Sequence, residues 1–349
     1  MRFKRLLKIL GIVGIALLSG CSSDMNPETV YETKQISEAQ REIFAMDTYM
    51  TVTAYGEQAE AAVDAAVKEI ERLDQLFSTG DTESEVARIN ENGRGEVSDD
   101  SAYLLEKAAE LCEKTEGAFD ITVYPIMEAW GFTTQNYQVP DEETLESLLA
   151  LTDGMQVYLD KEKKEVSFGI EGMKIDFGGI AKGYTSARIV EIWEEYGITS
   201  GMINLGGNVQ LLGGKTDGSE WKVGIQSPND DSTYLGVLKV RDKAVITSGG
   251  YERYFEQNGS VYHHIIDPLN GYPAENGLIS VTIVSEDGTL ADGLSTSLFV
   301  MGKEKALEFW RENSEEFDAI LLTEENVLYV TEGIAESFTT EFPVKIMNQ

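Results

Sequence analysis

Residues 172–184, Gly172-Met173-Lys174-Ile175-Asp176-Phe177-Gly178-Gly179-Ile180-Ala181-Lys182-Gly183-Tyr184, constrain the fold more than any other stretch. Gly172 to Asp176 reads as a short strand running into an acidic residue. Beyond it, apolar residues recur at Ile180, Tyr184, Ile189, Ile192 and Trp193, so a helix is expected over 180–196. The pair Gly178-Gly179 then sits where a strand turns into a helix. Without Cβ atoms, its backbone can approach a ligand closely. A helix N-terminus adds unpaired N–H groups and the positive end of a dipole. One Asp, bare backbone and one Lys within a turn or two suit a phosphate or a metal–phosphate unit. They equally suit a tight connection in which Asp176 satisfies the turn, and other stretches must decide.

Charge narrows the ligand. Lys and Arg number 28 against 61 Asp and Glu, a net charge of −33 over 349 residues. Nucleic acid is excluded as a partner, because its phosphates need a basic surface. A polyanionic ligand would need local rescue by a metal, a helix dipole or backbone amides.

The first residues read as a targeting segment. Arg2, Lys4, Arg5 and Lys8 precede an apolar run over 9–18 that is too short to span a membrane comfortably. The run ends in Leu18-Ser19-Gly20-Cys21, which resembles the bacterial lipoprotein box; an ordinary secretory signal with an incidental Cys is the alternative. The expected organisation is a signal peptide over 1–20, a lipidated Cys21 with a polar tether over 21–40, and one domain over 41–349. This places the protein at the cell membrane, anchored by lipid on the extracytoplasmic face. Cys112 lies within a helical pattern over 102–114 and is expected to be a buried, inert thiol.

Along the domain, 44–55 reads as the first strand and 58–77 as an amphipathic helix with Ala62, Val63, Ala66, Val67, Ile70, Leu73 and Leu76 on its inner face. A second helix is expected over 100–115. Gly117-Ala118-Phe119-Asp120 leads to Trp130-Gly131-Phe132, a crowding of small, aromatic and acidic residues that suits a planar ligand, although packing also accounts for the aromatics. A helical surface insertion over 140–153 and a hairpin over 155–168 follow. Asn204-Leu205-Gly206-Gly207-Asn208 ends a strand in another glycine turn. Both histidines of the chain lie in Tyr262-His263-His264-Ile265-Ile266-Asp267-Pro268. Adjacent strand residues point to opposite faces and no third ligand stands at a recognisable spacing, so one histidine facing a site is favoured over a zinc pair. Strands are expected over 278–285, 319–323 and 327–331, and helices from 290 and over 303–313. Asp292 and Thr296, four apart, present a carboxylate and a hydroxyl on one helical face. Both are hard oxygen donors suited to Mg²⁺, but a dipole-facing Asp and a packed core hydroxyl explain the pair as well.

Taken together, five stretches resemble the ApbE-type flavin transferases, FAD:protein FMN transferases. They are Gly117–Asp120 with Trp130-Gly131-Phe132, Ile175–Tyr184, Asn204–Asn208, His264–Pro268 with Gly271, and Ala291-Asp292 with Thr296. The resemblance runs from about Met46 to past Thr331. It implies an α+β fold of T-fold-like type, an antiparallel sheet with flanking helices and a ligand cleft between lobes. The activity implied is Mg²⁺-dependent transfer of FMN from FAD to a Thr or Ser hydroxyl of an acceptor protein, with AMP leaving. The acceptor is typically a redox protein or a membrane electron-transfer subunit. Carried over by motif, Asp292, Thr296 and the Gly179 carbonyl hold Mg²⁺. Met46, Ala118, Phe119, Asp120, Asp176, Lys182 and Ile265 line the FAD site. His264 is the proton acceptor, a role Asp292 could also fill.

Departures from the family pattern are local. Gly250 stands where many relatives carry Asp, which puts a contact near the phosphates in doubt. Gly179 offers only its carbonyl, and Lys182 serves either a phosphate or its own helix. The rival activities are an FAD pyrophosphatase using water at the same site and a non-catalytic FAD-binding lipoprotein; the Asp292/Thr296 pair speaks against the second.

Overall fold

The computed structural model describes residues 36–228 and 230–349. The expected signal peptide, Cys21 and most of the expected tether lie outside them. The domain starts earlier than expected: β1 (Glu38–Ala45) is already paired at Glu38, opposite Tyr55 of β2 (Thr48–Tyr55). The single strand expected over 44–55 is therefore a hairpin. Met46 and Asp47 form its two-residue turn with φ of 47° and 58°, the positive values that a tight hairpin turn demands.

Helix α1 (Ala59–Phe77) buries Ala62, Val63, Ala66, Ile70 and Leu73 as its periodicity dictates, while Val67 and Leu76, at the margins of that face, are only partly buried. Helices α2 (Glu85–Asn92) and α3 (Asp99–Lys114) begin at Ser84 and Ser98, whose hydroxyls accept N–H bonds from Ala87 and Ser101. Between them runs β3 (Arg94–Glu96). Cys112 is buried in α3, and burial pushes its thiol up to about 12, so it is an inert thiol as expected. Next come α4 (Tyr124–Trp130), α5 (Glu142–Leu149), β4 (Val157–Asp160) and β5 (Glu165–Phe168). The α5 segment is more than a surface insertion, because Leu145 is fully buried against the Trp130 cluster.

Residues 172–176 do not form the expected strand. They run extended outside any sheet, held because Asn90 accepts the Ile175 N–H and donates to the Ile175 carbonyl, each at 2.8 Å. Side-chain hydrogen bonds here replace a ladder partner. Helix α6 (Ala181–Glu195) follows the glycine pair as expected. The chain then adds β6 (Ser200–Leu205), β7 (Asn208–Leu212), β8 (Trp221–Ser227), β9 (Asp230–Val240), β10 (Ala244–Gly249), β11 (Tyr254–Gln257), β12 (Ser260–His263) and β13 (Leu278–Ser285). Helix α7 (Gly288–Glu312) contains both helices expected after 290, broken at Gly302 with φ 75° and ψ 168°. Strands β14 (Asp318–Thr323) and β15 (Leu328–Thr331), helix α8 (Glu332–Ala335), β16 (Phe338–Thr339) and β17 (Val344–Met347) complete it. The last three elements were not expected.

Among the described residues the central sheet has nine strands in the order β1-β2-β6-β7-β10-β13-β14-β15-β17. Every pairing is antiparallel except β15 with β17. The fold is thus α+β. Helices α1 and α6 pack over β1, β2 and β6, burying Trp193 and Ile203, while β8 and β9 help cover the opposite side through Trp221, Ile225 and Leu238. Gly201 lets β6 lie against Trp193: a Cβ there would meet the indole ring and stand 3.0 Å from the Thr53 carbonyl oxygen. We expect Gly201→Ala to destabilise the domain by about 1–3 kcal/mol, the usual cost of overpacking. Urea unfolding checks this, and an unchanged midpoint would contradict the packing described.

Candidate active site

Two helix starts and three turns converge on one cleft of about 1130 Å³. Its floor is the start of α6. There the Gly183 N–H, too early in the helix for a backbone partner, donates to Asp292 Oδ2 at 2.8 Å. Asn208, first residue of β7, donates its amide to Asp292 Oδ1 at 2.9 Å. Asp292 is thereby buried in α7 with each carboxylate oxygen accepting one hydrogen bond and keeping a further lone pair. Burial raises its pKa, and the Lys182 ammonium opposes the rise. The approach needs glycine on both helices. A Cβ on Gly183 would strike the Gly288 carbonyl and stand 2.6 Å from Asp292 Cβ.

Thr296, one helical turn beyond Asp292, completes the corner. Its Oγ1 lies 3.4 Å from Ser248 Oγ, which is bonded at 2.7 Å to Ser295 Oγ. A Cβ on Gly179 would sit 3.9 Å from Thr296 Oγ1 and 3.1 Å from the Phe119 ring, so the bare backbone of Gly179 fills the remaining side. The Asp292 carboxylate and the Thr296 hydroxyl, lining the cleft beside Gly179, are oxygen donors of the kind that fits a hard divalent cation. No group of three or more His, Cys, Asp or Glu suited to a metal occurs among the described residues. A cation held by a single carboxylate therefore needs phosphate oxygens from its ligand, which is the habit of Mg²⁺.

The remaining expected residues line the same cleft: Met46, Ala118, Phe119, Asp120, Asp176, Lys182, His264 and Ile265. They are not equally available. Asp120 is committed to the fold, with Oδ1 accepting from the Thr122 N–H and hydroxyl and Oδ2 from the Gly154 N–H. Asp176 caps the glycine turn through Gly178 N–H at 3.1 Å, and burial raises its pKa. Met46 is fixed by its N–H bond to the Asp74 carboxylate on α1.

The histidines divide their work. His263 packs edge-on to Phe299; its Nε2–H donates to the Ala274 carbonyl and its Nδ1 accepts the Ile265 N–H, which engages both ring nitrogens. His264 faces the cleft, with Nδ1 at 3.1 Å from the Arg253 carbonyl. A carbonyl can only accept, so Nδ1 carries the proton and the lone pair is left on Nε2.

Sequence reading passed over Glu252 and Arg253, which also line the cleft. In the Thr247–Arg253 turn, sequence reading singled out Gly250, as a departure from the family pattern. Loss of water around Glu252 pushes its carboxyl up to about 6, opposed by Lys182 and reinforced by Asp292. At Gly250, a Cβ would point at the His263 ring, 2.7 Å away. In this chain, then, the turn faces the cleft through Ser248, Tyr251, Glu252 and Arg253.

The sequence profile of the ApbE family matches residues 46–321. The chain belongs to the ApbE family. An FAD:protein FMN transferase of Klebsiella pneumoniae is 37% identical over 76% of this chain and 83% of its own. One from Treponema pallidum is 34% identical over 80% and 83%. The crystal structure of an ApbE protein from Thermotoga maritima superposes with a TM-score of 0.81 at 34% identity, covering 86% of this chain and 99% of that one. Flavin transferase ApbE from Vibrio cholerae gives 0.75 at 26%, over 88% and 97%. The ApbE fold therefore extends over nearly all of the described domain.

Burial, with the Arg253 charge adding, lowers the His264 pKa from 6.5 to about 3. The unfolded chain binds a proton at this ring below about pH 6.5, while the folded ApbE domain refuses it until about pH 3. Stability contributed by neutral His264 is therefore present above pH 6.5 and lost as pH falls through that window. We expect the melting temperature of His264→Gln to drop less than that of the parent between pH 7 and pH 4. Parallel pH profiles would contradict the assignment.

Proposed function

We propose that this chain transfers FMN from FAD to a hydroxyl of an acceptor protein, releasing AMP, with Mg²⁺ bound by Asp292, Thr296 and the Gly179 carbonyl. The observation carrying the reading is the buried Asp292 carboxylate, clamped by Gly183 and Asn208 in a cleft that also presents the His264 imidazole. Relatives at 37% and 34% identity over most of the chain bear the name of this activity.

In this reading Met46, Ala118, Phe119, Asp176, Lys182 and Ile265 contact FAD, and Asp120 holds the wall behind it. Lys182 and the start of α6 face the pyrophosphate, which carries about two negative charges, with an ammonium and a helix dipole. When bound, Mg²⁺ offsets that charge and polarises the phosphorus under attack. The acceptor hydroxyl oxygen bonds to the FMN phosphorus as the bond to the bridging oxygen breaks. AMP leaves with that oxygen and its electron pair. His264 Nε2 takes the hydroxyl proton, and the Arg253 carbonyl holds the ring in the tautomer that can do so. A Thr or Ser of a redox protein or membrane electron-transfer subunit is the acceptor proposed, met at the extracytoplasmic face where a lipid on Cys21 would hold the enzyme.

The direct test incubates the protein with FAD, Mg²⁺ and a candidate acceptor, then looks for flavin fluorescence on the acceptor band of a denaturing gel. A band that disappears with a chelator is expected; AMP release without a band would favour hydrolysis by water. Asp292→Asn should lower transfer at least about 100-fold and weaken Mn²⁺ binding in the presence of FAD, read by electron paramagnetic resonance. Undiminished Mn²⁺ affinity would remove Asp292 from the metal site. His264→Ala should slow transfer by about 10²–10⁴-fold while leaving FAD affinity, read by fluorescence, unchanged. Loss of FAD binding instead would make His264 a ligand contact.

A further inference from the structure

A transferase of this kind must admit a polypeptide to the cleft mouth, and the surface there has an unusual composition. Tyr49 is 81% exposed and Leu269 73%, the two most exposed large apolar side chains among the described residues. Each directly follows a cleft-lining residue, Thr48 and Pro268. Phe44, 59% exposed, meets Tyr49 edge-on with ring centroids 5.1 Å apart. Exposed apolar groups gathered beside a polar cleft mark a protein contact more than chance scatter does.

Both sites are held on stiff supports. Phe44 and Tyr49 face each other across the β1–β2 hairpin, whose two-residue turn is fixed by positive φ values and by the Met46–Asp74 bond. Leu269 stands at the tip of a loop locked from within. Asp267 accepts the Leu269 N–H at 2.9 Å and the Asn270 amide at 2.8 Å through its carboxylate, and the Gly271 N–H through its carbonyl. The Gly271 carbonyl in turn accepts the buried Trp130 indole N–H at 2.8 Å. A polar network that holds a leucine out in water prepays the ordering cost of binding.

We propose that Phe44, Tyr49 and Leu269 form the docking rim for the acceptor protein, gripping apolar side chains that flank the target hydroxyl. The proposal rests on the transferase reading. Its occupant follows from continuity with the cleft: the second substrate is a protein, its hydroxyl must arrive between these supports, and its flanking residues must lie across them. Apolar contact also lets a chain of net charge −33 hold an acidic partner that its field would repel.

The test uses the full-length protein in detergent, with FAD and Mg²⁺, and membranes from cells lacking its gene as the source of unmodified acceptor. In-gel flavin fluorescence is measured against the amount of membrane. For Tyr49→Ser/Leu269→Ser the half-saturating amount should rise about 5-fold or more, with the saturating rate and FAD affinity unchanged. Ile346→Ser, which removes an exposed apolar side chain from the edge strand β17, none of whose residues or β15 partners lines the cleft, should behave as the parent. An unchanged half-saturation, or an equal loss of FAD affinity, would overturn the rim. Loss of sedimentation with phosphatidylglycerol vesicles as the sole defect would overturn it too, by giving the rim to lipid. If the parent protein labels nothing, the transferase reading itself fails.

Discussion

Asp292 is held at a junction of three elements: its own helix α7, the first turn of α6 through Gly183, and the β6–β7 hairpin through Asn208. A buried carboxylate without donors would cost several kcal/mol, so the two bonds and the nearby Lys182 charge are conditions of the fold as much as of the site. The junction also dictates composition around it. Gly183 and Gly288 have to be bare for α6 and α7 to approach, and Gly206 and Gly207, with φ of 67° and 100°, have to be glycine for Asn208 to turn inward. Displacing any one of these would move the donor set of Asp292, Thr296 and Gly179 together.

Electrostatics gives the cleft its selectivity. The chain is strongly acidic, and Asp47, Asp74, Asp120, Glu128, Asp176, Glu252 and Asp292 all line the cleft beside only Lys182 and Arg253 as cations. Such a site does not attract a bare dianion. Under the proposed function a pyrophosphate would arrive there with a divalent cation, and the start of α6 would contribute its dipole. Asp120 is tied to the fold, with Oδ1 accepting from Thr122 and Oδ2 from Gly154. Burial raises the pKa of both Glu252 and Asp292, and the nearby Asp292 charge adds to the rise at Glu252.

Much of the architecture was legible because it rests on short-range regularities. Most of the α1 face, the span of α3 to within a residue and the glycine turn before α6 follow from spacing and side-chain chemistry. Misreadings occurred where a partner distant in sequence decided the outcome. Residues 172–176 have strand character, yet Asn90, some 85 residues away, satisfies the backbone that a neighbouring strand would otherwise pair. The unbroken strand expected over 44–55 bends at Met46 because Asp74 on α1 holds that turn, against the ordinary preference of a methionine for negative φ. Strand β17 was invisible since it pairs in parallel with β15 at the sheet edge, with little burial to impose an alternating pattern.

By itself the sequence determined the inventory: which residues carry oxygen donors, which backbone positions must be bare, and that a polyanionic ligand needs local rescue by a metal, a helix dipole or backbone amides. Five short motifs in order sufficed for family and fold because each encodes a local backbone shape. Only the tertiary structure decided how these groups are shared out. It committed Asp120 to capping, turned His263 inward and His264 toward the cleft, and brought Glu252 and Arg253 to a wall no motif had assigned them. The physical reason is that a hydrogen-bonding group has a limited number of donors or lone pairs, and which partners take them is set by chain segments far apart in sequence.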